Sequence, residues 1–243
     1  LMIISKTNII ASNSIVLESG SLSSGELSNL QDPDFSRVVS SSSSTFSFTF
    51  DTVGSCEYVA LHGLNLQIGN TVTLTGTSFT RSFTVTRPIK NLVFYIGVAT
   101  TLNDLTVEIT GTGTKTISYM QAGLVSHIAW GTNAGQGLFY LGNNVTNRVT
   151  ANEAGFPVKR VQETIAPKLS LTFRNMYKDW ARTELQEIFT LYNETGVLSQ
   201  LDYEEENKPD ESCALFELSS SKVATHSQTT TLVDISLSFR VVA

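Results

Sequence analysis

Charge is scarce in this chain. Of 243 residues, 16 are Lys or Arg and 22 are Asp or Glu, so only 16% are charged against an average of roughly 25%. Soluble enzymes cover their helices with Lys, Glu and Arg, and too few are present here for a largely helical surface. No block of Lys or Arg occurs and the net charge is -6. Nucleic-acid affinity comes largely from neutralising phosphates, so direct DNA or RNA recognition is excluded. Apolar runs such as Leu92 to Val98 fall far short of the roughly 20 residues a membrane helix needs. No membrane insertion is expected. The opening Leu1-Met2-Ile3-Ile4-Ser5-Lys6 has no basic segment ahead of a continuous apolar stretch and no small-residue cleavage site. It reads as a first strand rather than a signal peptide.

Groups that carry chemistry are equally sparse. The two cysteines, Cys56 and Cys213, are too few for a disulfide framework and read as buried thiols. The three histidines, His62, His127 and His226, show no metal-ligand spacing. There is no Gly-x-Ser-x-Gly elbow, and no cysteine has a catalytic signature around it. The Gly111-Thr112-Gly113 turn leads into a strand, so no helix N-terminus stands ready for an anion. Any chain with 22 acids contains candidate glycosidase pairs, so that signal carries no information. Nucleophile triads assembled by the fold stay beyond sequence reading. The expectation is a protein that is not an enzyme, with no catalytic residues, no metal and no cofactor.

What the chain has is hydroxyl groups: 29 Ser and 30 Thr, about a quarter of all residues. Residues 5 to 45 are rich in Ser, Asn and Gly, and the run Ser40 to Ser44 reads as a loop. Such a stretch buries too little apolar surface to order itself and must lie on something else. Then Thr45-Phe46-Ser47-Phe48-Thr49-Phe50 alternates three Phe with small polar residues, placing the rings on one face of a strand. Further strands are expected at 58–61, 71–75, 81–86, 92–96, 105–110 and 114–120, each rich in Thr, Val or aromatics and divided by Gly or Asn turns. This spacing predicts an antiparallel sandwich or barrel.

The segment 126–157 is rich in Gly and Asn and reads as a connector, with a short strand at 138–141. It separates a unit 1–125 from a β-rich unit 158–243. In the second unit, strands are expected at 158–162, 168–173, 213–218 and 233–241, the last alternating Val233, Ile235, Leu237, Phe239 and Val241. One helix is expected at 178–191, where Trp180, Leu185, Ile188 and Phe189 recur at helical spacing, with Asn175 as N-cap and Gly196 as stop. Trp180 reads as core.

Three residues are candidates for binding. Trp130 and Tyr140, with Phe139 beside it, offer a sugar-stacking platform, a partner-protein anchor, or packing between the two units. His62 stands where an apolar strand meets Gly63, placed either to contact a carbohydrate or, more commonly, to hydrogen-bond nearby backbone. Asn29, Asp32 and Asp34 could supply oxygens to Ca²⁺ from one loop, but the same residues form Asx-type turns, which is the preferred reading.

Two stretches resemble virion proteins of tailed bacteriophages. Asn8-Ile9-Ile10-Ala11-Ser12, Asn29-Leu30-Gln31-Asp32-Pro33-Asp34 and Tyr58-Val59-Ala60-Leu61-His62-Gly63-Leu64-Asn65-Leu66 are similar to the galactose-binding-like sandwich found in phage tail proteins. Gly155-Phe156-Pro157, Lys168 to Phe173 and the Trp180 helix are similar to an accessory domain that follows it. The resemblance implies a mainly β fold, a jelly-roll sandwich followed by a β-rich domain with one helix. It implies a non-enzymatic subunit of the tail, tail tip or collar of a virion, a homo-oligomer whose partners are other virion proteins and copies of itself. The alternative is a carbohydrate-binding module or capsid decoration protein that meets a host-surface glycan.

Overall fold

The computed structural model describes residues 2–51, 54–128, 144–151, 157–165, 168–202, 213–226 and 232–241. The expected Phe strand is β4. In chain order the strands are β1 Met2–Ser5, β2 Ile15–Ser19, β3 Val39–Ser41, β4 Thr45–Phe50, β5 Gly54–His62, β6 Thr71–Gly76, β7 Phe79–Thr84, β8 Asn91–Leu102 and β9 Leu105–Thr110. They continue with β10 Lys115–Ile117, β11 Tyr119–Gly123, β12 Val125–Ile128, β13 Asn144–Ala151, β14 Pro157–Ile165, β15 Lys168–Tyr177, β16 Leu198–Asp202, β17 Cys213–His226 and β18 Leu232–Val241. The chain is mainly β and antiparallel, as its composition implied.

Five strands form one sheet in the order β2-β4-β9-β6-β7, and three form another in the order β11-β5-β8. Alternation decides how they meet. Phe46, Phe48 and Phe50 of β4, Val72 and Leu74 of β6, and Leu105, Val107 and Ile109 of β9 turn inward onto Val59, Leu61, Leu92, Phe94 and Met120 of the smaller sheet. The three Phe rings are fully buried, each contributing on the order of 2–3 kcal/mol of apolar burial. The outer face of the larger sheet carries the hydroxyls. Register aligns Thr49 with Thr106, Thr71 with Thr84 and Thr73 with Ser82, and each pair hydrogen-bonds at 2.9 to 3.1 Å. Thr satisfies a half-exposed pleat without charge, which explains why so few ions suffice here.

The three-stranded sheet is covered on both sides. Tyr58, Ala60, Val93 and Tyr95 point away from the sandwich core and pack with Ile3 and Val125. Those two belong to a six-stranded sheet of order β12-β1-β16-β17-β18-β15. A strand buried on two faces reads as a continuous apolar run, which accounts for Tyr58-Val59-Ala60-Leu61. The boundary expected at residue 125 therefore cuts across a sheet. β1, from the first residues, is paired on one side with β12 and on the other with β16, Met2 standing opposite Asp202. Three apolar residues show that Met2–Ser5 is a strand but not which strands receive it.

Other expectations are corrected in detail. Ser40 and Ser41 lie in β3 rather than in a loop, and both are buried. The Ser-rich segment is tied down hydroxyl to hydroxyl, Ser24 to Ser40 at 2.8 Å and Ser23 to Ser42 at 3.1 Å. The helix, α1, runs as Lys178–Trp180, a π-type stretch Ala181–Leu185, and Gln186–Thr195. Asn175 is no cap, because β15 continues to Tyr177 and α1 starts directly after it. Gly196 ends the helix in the left-handed region at φ 72°, its N–H donating to the Tyr192 carbonyl. Trp180 is half-buried. The strand expected at 138–141 lies outside the described residues, as does the side chain of Cys213; Cys56 is buried, and burial pushes its thiol up to about 12.

One buried charge holds the loop end of the sandwich. Lys115 is fully enclosed, and its ammonium donates to the carbonyls of Ser43, Gly111 and Gly113 at 2.7, 2.8 and 3.2 Å. Burial lowers its pKa, while three carbonyl dipoles replace the lost water. Lys115→Met strands these acceptors, and we expect a loss of about 3 kcal/mol in urea unfolding. Arg81→Met, on the exposed edge strand β7, should change the midpoint by less than about 0.5 kcal/mol.

Candidate functional site

The covered face of the three-stranded sheet brings polar side chains into a dry space, and they satisfy one another. His62, at the end of β5, is fully buried. Its Nδ1 lies 2.8 Å from Asn91 Oδ1 and its Nε2 lies 2.8 Å from Ser199 Oγ. The Ser199 hydroxyl donates to Gln121 Oε1 at 2.6 Å, and the Ser199 backbone N–H donates to Ser5 Oγ at 2.9 Å. Gln121 Nε2 in turn donates to the Tyr119 hydroxyl at 2.9 Å. Tyr58 donates its hydroxyl to the Thr7 carbonyl at 3.0 Å. Strands β1, β5, β8, β11 and β16 all contribute, so the network joins residues 137 apart in sequence.

Asn91 Oδ1 can only accept, so Nδ1 of the ring carries a proton and donates to it. Nε2 of the neutral ring is then an acceptor, and the single Ser199 hydroxyl proton lies between it and Gln121 Oε1. Ser199, His62 and Asn91 thus have the connectivity of a nucleophile, base and orienting group. The surroundings deny them that role. All three are buried, at 2%, 0% and 8% exposure, and desolvation, only partly offset by the Asn91 hydrogen bond, lowers the His62 pKa to about 4. A ring that is a poor base and meets no solvent is a weld. It is equally closed to a glycan, which corrects the carbohydrate contact expected for His62. Its hydrogen bonds go to side chains of two other strands rather than to the neighbouring backbone. Gly63, at φ 64°, makes the turn that follows, and a Cβ there would meet Ser118 Oγ at 2.3 Å.

Above this weld opens a polar cleft of about 740 Å³, between the strap that follows β1 and one side of α1. Lys6, Thr7 and Asn8 line one wall. The other is a helical stripe, Arg182, Thr183, Gln186, Glu187, Thr190, Leu191 and Glu194. The opposite side of α1 buries Leu185 and Ile188, so amphipathicity alone turns these polar groups outward. The π-type stretch, a feature frequent at functional sites, contributes Arg182 and Thr183. Lys6 is held 3.0 Å from Glu187 and 3.3 Å from Glu184. Burial opposes its charge, but the Glu187 hydrogen bond and both carboxylates outweigh that and raise its pKa. Glu184 also accepts from the Ser126 hydroxyl at 2.5 Å. The cleft offers amide, hydroxyl, guanidinium and carboxylate groups at fixed positions.

Trp130 and Tyr140 lie outside the described residues. The Asp32–Asp34 loop is a turn: Asp32 Oδ1 accepts from the Asp34 N–H, Asp34 Oδ1 from the Ser36 N–H and hydroxyl, and Arg37 sits 3.4 Å from both carboxylates. Hydrogen bonds from Ser36 lower the Asp34 pKa. The cleft residues escaped sequence reading because they are ordinary surface types. The one available signal was the polar stripe opposite Leu185 and Ile188.

No protein family and no curated protein matches this chain. Among solved structures it is similar to a fucose-binding module of Streptococcus pneumoniae at 10% identity and TM-score 0.39, over 49% of this chain and 98% of that one. It is similar to the lectin-binding domain of lectinolysin, complexed with Lewis b, at 12% identity and TM-score 0.40, over 49% and 96%. A fucolectin from striped bass (Morone saxatilis) serum aligns over 97% of this chain and 98% of its own, at 10% identity and TM-score 0.40. At these values function has to be read from the geometry of the chain itself.

The weld makes a pH prediction. His62 takes up a proton near 6.5 when unfolded and near 4 when folded. Its contribution to stability is therefore complete above pH 6.5, shrinks as pH falls from 6.5 to 4, and amounts to about 3 kcal/mol. Urea midpoints measured across this range should fall with acid, and His62→Gln should flatten that portion of the profile.

Proposed function

We propose that this chain is a non-catalytic binding protein that holds a glycan in the cleft between the Lys6–Asn8 strap and α1. The observation that carries the reading is the cleft's lining. Its volume suits a small-molecule site, and it presents donors and acceptors for a ligand rich in hydroxyl groups. Arg182, Gln186 and Glu194 face it from a rigid helix, while Lys6 is pinned between two carboxylates. Host-surface glycans are the class to test. Titration of the full chain with glycans found on an array should show binding that Gln186→Ala and Arg182→Ala weaken about tenfold or more, the loss of one or two hydrogen bonds. An array without hits, or affinities unchanged in both variants, removes the reading.

A second reading is a structural subunit of a tailed-phage particle, located in the virion and working through contacts with copies of itself and other virion proteins. It is favoured by a two-stranded ribbon, β13 and β14, that no third strand joins among the described residues. The two readings are compatible, since a particle protein that meets a host surface can do both.

A further inference from the structure

The two ends of the cleft differ in what they offer a ligand. From Thr183 to Thr195, α1 carries Glu184, Glu187 and Glu194 and no basic residue. The first two carboxylates share one cation, with Lys6 at 3.3 Å from Glu184 and 3.0 Å from Glu187. Arg182, the other cation of the cleft, lies 3.7 Å from Asp179 on the preceding turn. Both cations are thus already matched by carboxylates. Glu194 follows Glu187 by seven residues, close to two turns, so it lies on the same side of α1 about 10 Å further on. It lines the cleft there and is exposed.

The position of Glu194 in the helix adds to its charge. α1 ends at Thr195 and Gly196 turns out of it, so Glu194 sits in the last turn, at the negative pole of the summed peptide dipoles. A cation is favoured at such a place. The neighbouring hydroxyl points the same way. Thr190, one turn before Glu194 on the cleft wall, donates its proton to the Gln186 carbonyl at 2.8 Å. What it keeps for the cleft is lone pairs. Thr190 and Glu194 are neighbours on the helix surface, so this end of the cleft presents two side-chain acceptors side by side.

We propose that the Thr190–Glu194 end of the cleft receives a protonated amino group, and that the ligand is a glycan containing an amino sugar whose amine is free. The inference rests on the glycan reading and names the class of sugar. An ammonium has three N–H donors and no acceptor, which suits a wall of acceptors better than a hydroxyl with its single proton. Its contact with Glu194 is a charge-assisted hydrogen bond, shorter and stronger than a neutral one. N-acetylation removes the charge and leaves one N–H. A uronate in the same place would set its carboxylate against that of Glu194 and be repelled.

Titration of the full chain with a glucosamine trimer and with the same trimer fully N-acetylated tests this. At mildly acid pH the free-amine trimer should bind about tenfold more tightly, the worth of one charge-assisted hydrogen bond. Glu194→Gln keeps the size of an exposed side chain, and its circular dichroism should match the wild type. In this variant the ratio of the two affinities should fall to near one. Raising the pH until the amine loses its proton should shrink the ratio in the wild type as well. Equal affinities in the wild type, a preference for the acetylated trimer, a preference that Glu194→Gln leaves intact, or array hits confined to glycans without a free amine would overturn the inference and leave the glycan reading standing. An array without any hit removes both.

Discussion

Everything in this structure follows from a three-stranded sheet buried on both faces. A sheet covered once can alternate apolar and polar residues and let water satisfy the polar ones. Covered twice, it has no such outlet. The face toward the sandwich solves the problem with Val59, Leu61, Leu92 and Phe94. The other face carries His62, Asn91, Tyr58, Tyr119 and Gln121, and each must find a partner in the layer above. That layer supplies Ser5 and Ser199. The order of the six-stranded sheet, with β1 between β12 and β16, sets these two serines at their posts. The polar weld thus specifies how the layers meet, because a shifted register would leave several buried groups unpaired.

The same constraint shapes the surface above. β1 ends at Ser5, and the next residues, Lys6 to Asn8, cross to β11: the Thr7 Oγ1 accepts from the Leu124 N–H and Asn8 Oδ1 from the Ala122 N–H. This strap is fixed by the groups it satisfies below it, so the side of Lys6, Thr7 and Asn8 that faces α1 is fixed as well. A cleft between a tied strap and a rigid helix is preorganised, and preorganisation reduces what a ligand loses in ordering its site.

Most of the β architecture was legible. Thr45–Phe50 and Leu105–Thr110 alternate, and alternation states both the strand and its buried face. The helix was legible from Leu185 and Ile188 to its Gly196 stop. What the sequence withheld was long-range pairing. Ile15–Ser19, Val125–Ile128 and Leu198–Asp202 are short and owe their strand state to neighbours far along the chain. Ser40–Ser41 looked like a loop because serine has weak strand preference, yet hydroxyl ladders to Ser23 and Ser24 hold it. Of the candidate site, His62 was noticed for its place beside Gly63, but its burial depended on Ser199, 137 residues away. The cleft was invisible because no local pattern sets apart a Gln or Thr that lines a cavity from one that meets bulk water.

The low charge of the chain bears on how it recognises anything at all. Few charges mean little electrostatic steering, so encounters are slow and specificity has to come from directional hydrogen bonds and shape. The cleft singled out above is of that kind, with side-chain donors and acceptors held by a helix. Such hydrogen bonds are weakly sensitive to salt compared with ion pairs between exposed charges. A protein built this way keeps its contacts as ionic strength changes.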